Sequence, residues 1–406
     1  MTKIFLYIIA FTFSLSLAAQ EELPANDNAL AQKYPFVRSV FNRVLNIGGL
    51  DSFYSKLYKL KTKQTGTVSI VHIGDSHIQA DFLSDIVRDG FQQFFGNAGR
   101  GLVFPYQLAQ SNAPDDIVSS SNGAWEFNRV AHPEIDINYG ISGFGIRTKN
   151  TAADINFYLR PVESAPAFNR LKFFLDSSTS TSWVLQTENN APYVLKKETE
   201  DTMPYQLVQL EQPVTGFSLS ALPTDDVKEF YGVSLENDNA GVIYHTVGVN
   251  GARYDQYNIA SLFWQQLPAL KADLYIISLG TNEAQKAGFV ESVFSKDMDL
   301  FIEKLKHSSP GASILITTAP DSYKGRGSNT VLRSLNASIS NYCNKNYIPI
   351  WDLYRITNGY GSAYSWSRRG LMNRDHIHFT AEGYRLQGNL LFMALAKGYN
   401  SYIKNY

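Results

Sequence analysis

A serine at the end of an apolar run is the most informative chemical feature of this 406-residue chain. The β-branched run Val68–Ile73 predicts a buried strand, and it leads directly into Gly74-Asp75-Ser76-His77. A turn that begins with glycine can present a hydroxyl at the carboxyl edge of a sheet, where open α/β folds place their chemistry. Ser76 is therefore a candidate nucleophile, which requires a base, an orienting acid and donors for an oxyanion.

The motif Asp375-His376-Ile377-His378 can supply the base and the acid. Its D-x-x-H spacing places Asp375 and His378 on one side of a turn, so His378 can accept the serine proton while Asp375 orients its ring. The alternative is an exposed His–Asp pair ahead of a helix, for which Thr380 is the predicted N-cap. We expect His376 to pack or to contact solvent.

Two further strand ends can supply oxyanion donors. Asn282 lies in Gly280-Thr281-Asn282-Glu283, and Gly251 lies in Val249-Asn250-Gly251-Ala252. Together with the Ser76 N–H, the Asn282 amide and the Gly251 N–H would provide three donors. Asn282 and Gly251 would also suit ordinary turns. The joint occurrence of all these motifs at the ends of predicted parallel strands favours the catalytic interpretation.

The residues on either side of Ser76 have other predicted roles. His77 either lines an acyl pocket or forms structural hydrogen bonds beneath the turn, and we favour the structural role. Asp75 is expected to bond backbone groups and so hold the turn. A glycosidase-type carboxylate pair made of Asp75 and Asp375 would leave the serine and the histidine base unexplained.

Alternating strand and helix patterns must position these motifs. Such βα units predict a parallel, doubly wound α/β sheet. An N-terminal helical region is predicted around residues 36–58. The predicted strands are 67–73, Val242–Val247, Leu274–Ser278, Ile314–Thr318 and Ile348–Trp351, and the predicted helices are Ala80–Phe95, Glu291–Lys306, Asn329–Lys345 and Ala381–Tyr399.

A different pattern separates the first βα unit from the others. Short alternating runs divided by turn residues predict an antiparallel β-sandwich inserted at residues 126–239. The runs are Ile135–Tyr139, Leu171–Leu175, Trp183–Leu185, Tyr205–Leu210 and Gly216–Leu219. The α/β domain then comprises residues 67–125 and 240–406, preceded by an arm at 20–66. The glycine-rich stretch 96–101 is predicted to end a helix and form a loop, since no GK[ST] follows it.

Composition and the N-terminus indicate an exported protein. Lys3, the apolar run Ile4–Leu17 and the small residues before position 20 predict a signal peptide at 1–19, because the run is short for a membrane anchor. We therefore expect a periplasmic or surface location without stable membrane insertion after cleavage. The formal net charge of −1 gives no basic excess for nucleic acid. The single cysteine, Cys343, excludes an intramolecular disulfide and is expected to be a buried hydrophobe.

The motifs resemble the four blocks of the SGNH (GDSL-type) hydrolases over 67–125 and 240–406. The resemblance implies a flavodoxin-like α/β fold, a Ser76–His378–Asp375 triad, and an oxyanion hole made by Ser76, Gly251 and Asn282. His77 stands where leucine is usual. This substitution, the later Ala80-Asp81-Phe82 and GTNEA sequences, and the β insertion look like bacterial peptidoglycan O-acetylesterases, which carry an inserted domain resembling a carbohydrate-binding module.

The resemblance implies an exported serine ester hydrolase that removes O-acetyl groups from peptidoglycan or a similar polysaccharide. The implied mechanism passes through an acyl-enzyme and uses no cofactor or metal. Two alternatives stay open. The same triad could transfer acetyl groups to a polysaccharide, or the chain could be a non-enzymatic glycan-binding surface protein.

Overall fold

The computed structural model describes residues 21–26, 28–160, 167–176, 182–195 and 203–405. The predicted signal peptide at 1–19 lies outside the described residues.

A six-stranded sheet forms the centre of the α/β part. Its spatial order is Val44–Leu45, Ile350–Trp351, Ser313–Thr317, Leu274–Ser278, Thr67–Gly74 and Gly241–Gly248. All neighbours are parallel except the first pair. Numbered along the chain, the five parallel strands lie in the order 2-1-3-4-5, which is the flavodoxin-like arrangement. The predicted doubly wound sheet is confirmed.

Side-chain alternation in the strand Thr67–Gly74 serves two hydrophobic cores. Val68 and Ile70 contribute to one core, whereas Val71 and Ile73 contribute to the other. The first core holds the helices Asp51–Lys63, Phe82–Phe95 and Ala381–Lys404, and the second holds Tyr254–Asn258, Ser261–Gln266, Glu291–Ser308 and Val331–Lys345. A sheet covered by helices on both faces explains why its strands are almost continuously apolar.

Shorter helical segments complete the α/β part. They are Asn28–Lys33, Ser39–Phe41, Ile47–Leu50, Ser76–Gln79, Leu267–Leu270, Thr281–Gln285, Leu353–Ile356 and Ser362–Ser367. A small hairpin pairs Tyr323–Lys324 with Gly327–Ser328. Within the described ranges, every helix is too short or too polar to cross a bilayer. Cys343 is free and fully buried, as predicted, and burial raises the pKa of its thiol to about 12.

The predicted N-terminal helix at 36–58 is wrong in its first half. Asn46 adopts the left-handed conformation with φ 53°, and regular helix begins only at Asp51. Glycine at position 49 allows this segment to pack closely against Pro349, because a Cβ there would lie 2.5 Å from Pro349 Cδ. Val44 pairs with Trp351, so this segment forms an edge strand of the central sheet instead of one continuous helix.

Two antiparallel sheets form the β-rich part and share a core with one face of the central sheet. One sheet has the order Tyr193–Leu195, Trp183–Gln186, Gly216–Ala221, Asp154–Leu159 and Ile117–Ser120. The other has the order Gln206–Val214, Phe168–Leu175, Lys228–Glu236, Phe144–Thr148 and Glu126–Arg129, with Gly99–Val103 also paired to Lys228–Glu236. The predicted antiparallel character is confirmed.

The β-rich part begins earlier than the predicted boundary at 126. The glycine-rich stretch predicted as a loop contains the strand Gly99–Val103, and Ile117–Ser120 is also a strand. Close packing explains the glycines: a Cβ on Gly101 would lie 2.4 Å from the Tyr244 carbonyl oxygen. The run at 135–139, predicted as a strand, forms bends and irregular backbone instead.

Candidate functional site

The serine lies on a one-turn helix at the carboxyl end of the strand Thr67–Gly74 in the central sheet. Asp75 is the N-cap of that helix, and its Oδ1 accepts a hydrogen bond from the His77 backbone N–H at 3.0 Å. The expected backbone-holding role of Asp75 is confirmed. Position 74 requires glycine because the Ile78 side chain packs directly against it: a Cβ there would lie 2.4 Å from Ile78 Cγ1. The local sequence therefore fixes the direction in which Ser76 leaves the sheet.

Two hydrogen bonds connect the serine to the C-terminal D-x-x-H motif. Ser76 Oγ lies 2.9 Å from His378 Nε2, and His378 Nδ1 lies 2.8 Å from Asp375 Oδ2. Asp375 Oδ1 also accepts the backbone N–H groups of Ile377 and His378 at 2.9 and 3.0 Å. Burial alone would raise the pKa of Asp375, but the hydrogen bonds from His378 and these backbone groups outweigh it and lower the pKa. The carboxylate is thus ionised and can orient the imidazole.

The turn that carries His378 is anchored on both sides. His376 has φ 54°, and its ring stacks on Tyr323 with 4.4 Å between centroids, so it packs as expected. Thr380 Oγ1 accepts the Gly383 N–H at 3.3 Å, which confirms the predicted N-cap of the last helix. The imidazole therefore projects from a turn that a long helix holds in place.

Backbone donors lie on two segments that meet beside Ser76. Among the described residues, the backbone N–H groups of Ser76 and Gly251 have no hydrogen-bond acceptor. Gly251 has φ 85°, a conformation that favours glycine. Its loop is tied to the serine turn, because the Val249 N–H donates to the Gly74 carbonyl oxygen at 3.3 Å. Two unpaired N–H groups on joined turns can serve as donors to an oxyanion.

Asn282 reaches the same turns from the neighbouring strand end. Its Nδ2 donates to the Ala252 carbonyl oxygen at 3.0 Å and makes a longer contact of 3.3 Å with Asp75 Oδ2. Burial raises the pKa of Asp75 to about 7, although the His77 N–H bond opposes the shift. The structure thus brings Asn282 against the nucleophile turn, with one amide hydrogen only weakly engaged.

A buried glutamine that the sequence analysis missed joins the serine helix to the Gly251 loop. Gln79 Oε1 accepts the Asn250 N–H at 2.8 Å, and Gln79 Nε2 donates to Ser111 Oγ and Asn112 Oδ1 at 2.8 and 2.7 Å. Asn250 Nδ2 also donates to Asn112 Oδ1 at 2.8 Å. The spacing of Gln79 three residues after Ser76, on one helical turn, is the sequence signal that could have revealed it.

His77 has the structural role that we favoured. It is buried, its Nδ1 lies 3.0 Å from Tyr384 Oη, and burial lowers its pKa to about 3. Its ring centroid lies 5.7 Å from that of His378. A neutral imidazole in this position packs beneath the catalytic turn and does not compete with His378 for the serine proton.

A family model matches part of the chain. The model described as the GDSL-like lipase/acylhydrolase family matches residues 218–386. The matched range contains Gly251, Asn282, Asp375 and His378, whereas Ser76 precedes it. No curated protein matches this chain.

Solved structures give a more extensive match. A peptidoglycan O-acetylesterase is 21% identical, with a TM-score of 0.73 and coverage of 86% of this chain and 96% of that one. A lipase/acylhydrolase from Enterococcus faecalis is 19% identical, with a TM-score of 0.31 and coverage of 39% and 77%. A family two carbohydrate esterase from Cellvibrio japonicus is 13% identical, with a TM-score of 0.28 and coverage of 70% and 99%. The first match establishes a shared overall fold, and the two low TM-scores do not.

Proposed function

We propose that this SGNH (GDSL-type) hydrolase is an exported carbohydrate esterase that removes O-acetyl groups from peptidoglycan or a similar polysaccharide. Its family resemblance, its fold and its class as a serine ester hydrolase agree with the prediction from sequence. The observation that carries the proposal is the hydrogen-bonded series Ser76–His378–Asp375, with distances of 2.9 and 2.8 Å. This series provides a nucleophile, a base and an orienting acid in contact.

The mechanism follows from these positions. Ser76 Oγ attacks the acetyl carbonyl while His378 Nε2 accepts its proton. The Ser76 and Gly251 N–H groups and the Asn282 amide stabilise the oxyanion. The sugar alcohol leaves with the proton from His378, and the acetyl group stays on Ser76. Water, deprotonated by His378, then releases acetate and restores the serine.

Three observations support a polysaccharide substrate. His77 replaces the leucine usual in GDSL-type motifs, as in the O-acetylesterases that the sequence resembles. The match to a peptidoglycan O-acetylesterase covers 86% of this chain, which is more than the α/β part alone comprises. The β-rich part packs against the catalytic domain through one continuous core. Together they favour a wall polysaccharide over a lipid ester.

The cellular location is part of the same proposal. The sequence at 1–19 has the charge, apolar run and small residues of a cleaved signal, which would deliver the enzyme to the periplasm or cell surface. Acetylated peptidoglycan is found outside the cytoplasmic membrane, so this location would place enzyme and substrate together. Fractionation of cells and N-terminal sequencing of the mature protein would test cleavage.

Acetate release tests the function. The purified protein is incubated with O-acetylated peptidoglycan and with acetylated xylan, and acetate is quantified. We expect the wild-type protein to release acetate from peptidoglycan, and Ser76→Ala to lose all turnover, because the acyl-enzyme cannot form. Unimpaired release by Ser76→Ala would contradict the mechanism. Acetyl transfer to a sugar without free acetate would identify the enzyme as a transferase, and no turnover of any ester would favour a binding protein.

A further inference from the structure

A cavity of about 160 Å³ lies beside the segments that carry Gly251 and Asn282. Its walls come from residues 253–255, from Glu283, Lys286 and residues 288–290, and from the start of the helix Glu291–Ser308. The first two of these segments follow the strands Gly241–Gly248 and Leu274–Ser278, which places the cavity on the side of the carboxyl edge of the central sheet, where open α/β folds bind ligands. Ser76 and His378 do not line it, so it is separate from the position of the reacting ester.

The cavity combines an apolar wall with polar groups that have free hydrogen-bonding capacity. Phe289 is partly exposed in the wall and contacts the buried Phe294, with 5.8 Å between ring centroids. Glu283 Oε2 is buried without a hydrogen-bond partner among the described residues, although Glu283 Oε1 accepts the Tyr254 N–H at 2.8 Å. The Asp297 side chain likewise makes no hydrogen bond within the described ranges. The buried Glu283 oxygen requires a partner from a ligand or water, and the partly exposed Asp297 carboxylate is able to accept from a ligand.

The charges around the cavity are balanced. Asp255 accepts from Arg253 Nε at 3.0 Å and lies 3.8 Å from Lys286 Nζ, so both cations are next to one carboxylate. Asp297 supplies the second negative charge. Burial raises the pKa of Glu283 to about 8, which makes this carboxyl group a hydrogen-bond donor at neutral pH. With two cations and two carboxylates around it, the cavity has no net charge that would favour an anionic or a cationic ligand, and an uncharged polar ligand suits it better.

We infer that this cavity is a subsite for an uncharged pyranose ring of the polysaccharide, next to the ring that carries the ester. The aromatic wall can contact the apolar face of the ring, and Asp297 and Glu283 can bond its hydroxyl or acetamido groups. The inference rests on the proposed function, because it assumes a glycan chain that crosses the catalytic edge of the sheet. It adds a binding role for residues that take no part in the ester chemistry.

Binding without an ester tests the subsite apart from the esterase activity. Calorimetric affinities are measured for trimers of β-1,4-linked N-acetylglucosamine and of β-1,4-linked glucose, with the full-length mature chain. We expect Phe289→Leu and Asp297→Asn to weaken binding of the acetamido trimer at least tenfold, while turnover of 4-nitrophenyl acetate stays within twofold. Asp299→Asn is the matched control, because Asp299 lies on the same helix and accepts from Tyr342 Oη instead.

Three results would overturn the subsite. They are the absence of trimer binding by the wild-type protein, equal affinities of the wild-type protein and both cavity variants, or a parallel loss of 4-nitrophenyl acetate turnover. Tighter binding of the glucose trimer, still weakened by both variants, would support the subsite but direct the substrate away from peptidoglycan. A failure of the proposed function would give a different result: the protein would still bind the trimers but would release no acetate from O-acetylated polymers.

Discussion

The proposed oxyanion role of Asn282 can be tested separately from the proposed triad. Among the described residues it makes no hydrogen bond to Ser76, and its amide is positioned by the Ala252 carbonyl oxygen and Asp75. Removing one oxyanion donor typically lowers kcat on the order of 10²–10³. We expect Asn282→Ala to lower kcat by this factor on 4-nitrophenyl acetate, with a smaller change in KM, because the donor acts mainly in the transition state.

Steady-state kinetics with a control variant checks this expectation. Asn389→Ala removes a partly exposed amide that, among the described residues, bonds only the Arg385 carbonyl oxygen within the last helix, so its kcat should equal the wild-type value. An Asn282→Ala enzyme with unchanged kcat would exclude the amide from the oxyanion hole. A rise in KM with constant kcat would instead assign Asn282 to ground-state binding.

Glu283 should make stability depend on pH. Its pKa is raised from 4.5 to about 8, so between these values the folded state binds a proton more tightly than the unfolded state does. The free energy of unfolding therefore falls as pH rises through this window. Glu283→Gln lacks the titration, and its stability relative to wild type should increase by about 1–3 kcal/mol from pH 5 to pH 9, since one pKa unit corresponds to about 1.4 kcal/mol.

Urea unfolding at both pH values measures the difference. Glu382→Gln is a suitable control, because Glu382 is an exposed carboxyl that pairs with Lys33 on the surface. Its effect should be small at either pH. Parallel pH profiles for Glu283→Gln and wild type would show that the Glu283 carboxyl titrates normally in the folded state.

At the scale of elements, the serine helix and the Gly251 loop behave as one unit because of Gln79. The fully buried Gln79 side chain bonds the Asn250 N–H, next to the Gly251 donor. A buried hydrogen bond lost in this way typically costs about 1–3 kcal/mol. We expect Gln79→Leu to lower kcat by about 10–100-fold if that cost appears in the transition state, with the triad distances unchanged.

Ser111→Ala is the matched control for the Gln79 contact. It removes one acceptor of Gln79 Nε2 but leaves the Asn250 bond and the Asn112 bonds in place. Its kcat should stay within threefold of wild type. Since loss of stability could also lower activity, folding of Gln79→Leu is verified by circular dichroism, and a folded variant with full kcat would contradict the positioning role.

The elements that the sequence predicted well are those with strong local patterns. The strand Leu274–Ser278 and the helix Glu291–Ser308 have uninterrupted apolar or amphipathic sequences, and the structure places both where they were predicted. Errors occurred where tertiary packing decides the conformation. The strand Gly99–Val103 begins with glycines, which are typical of turns. Glycine is needed at position 101 because a Cβ there would collide with the Tyr244 carbonyl oxygen. Local propensity cannot reveal such a contact.

The site divides in the same way. Ser76, Asn282 and His378 were identifiable because each lies at the end of a predicted strand or before a helix, with a side chain suited to the chemistry. The contribution of Gln79 depends on Asn112 and Asn250, which lie 33 and 171 residues away. The cavity near Glu283 likewise exists only after folding. Sequence spacing therefore predicted the candidate reacting groups and the local supports Asp75 and Thr380, but not the supports that depend on residues distant in sequence.

At the scale of the whole molecule, a buried cluster of ion pairs connects the β-rich part to the α/β part. Arg100, on the strand Gly99–Val103, bonds Asp81 at 2.6 Å and Asp116 at 2.5 Å. Asp81 lies after the serine helix, where it also accepts from Arg88 and Thr246 at 2.7 and 3.1 Å. Burial would raise the pKa of Asp81, but Arg88 and Arg100 outweigh it and lower the pKa to about 2. The cluster thus joins the insertion to the segment that follows Ser76.

Replacement of Arg100 should therefore destabilise the whole chain. Arg100→Met leaves Asp116 without its guanidinium partner and leaves Asp81 with Arg88 alone. Breaking a buried pair typically costs about 3–5 kcal/mol. Arg147→Met is the control. Arg147 pairs with the exposed Glu126, so its replacement should cost less than about 1 kcal/mol.

The effect of Arg100→Met should also depend on pH. Because the Asp81 pKa is depressed, the contribution of its charge is complete above about pH 4 and is lost as pH falls toward 2. The difference in free energy of unfolding between Arg100→Met and wild type, measured by urea unfolding, should therefore become smaller on acidification. A difference that is already small at neutral pH would show that the cluster does not stabilise the contact between the two parts.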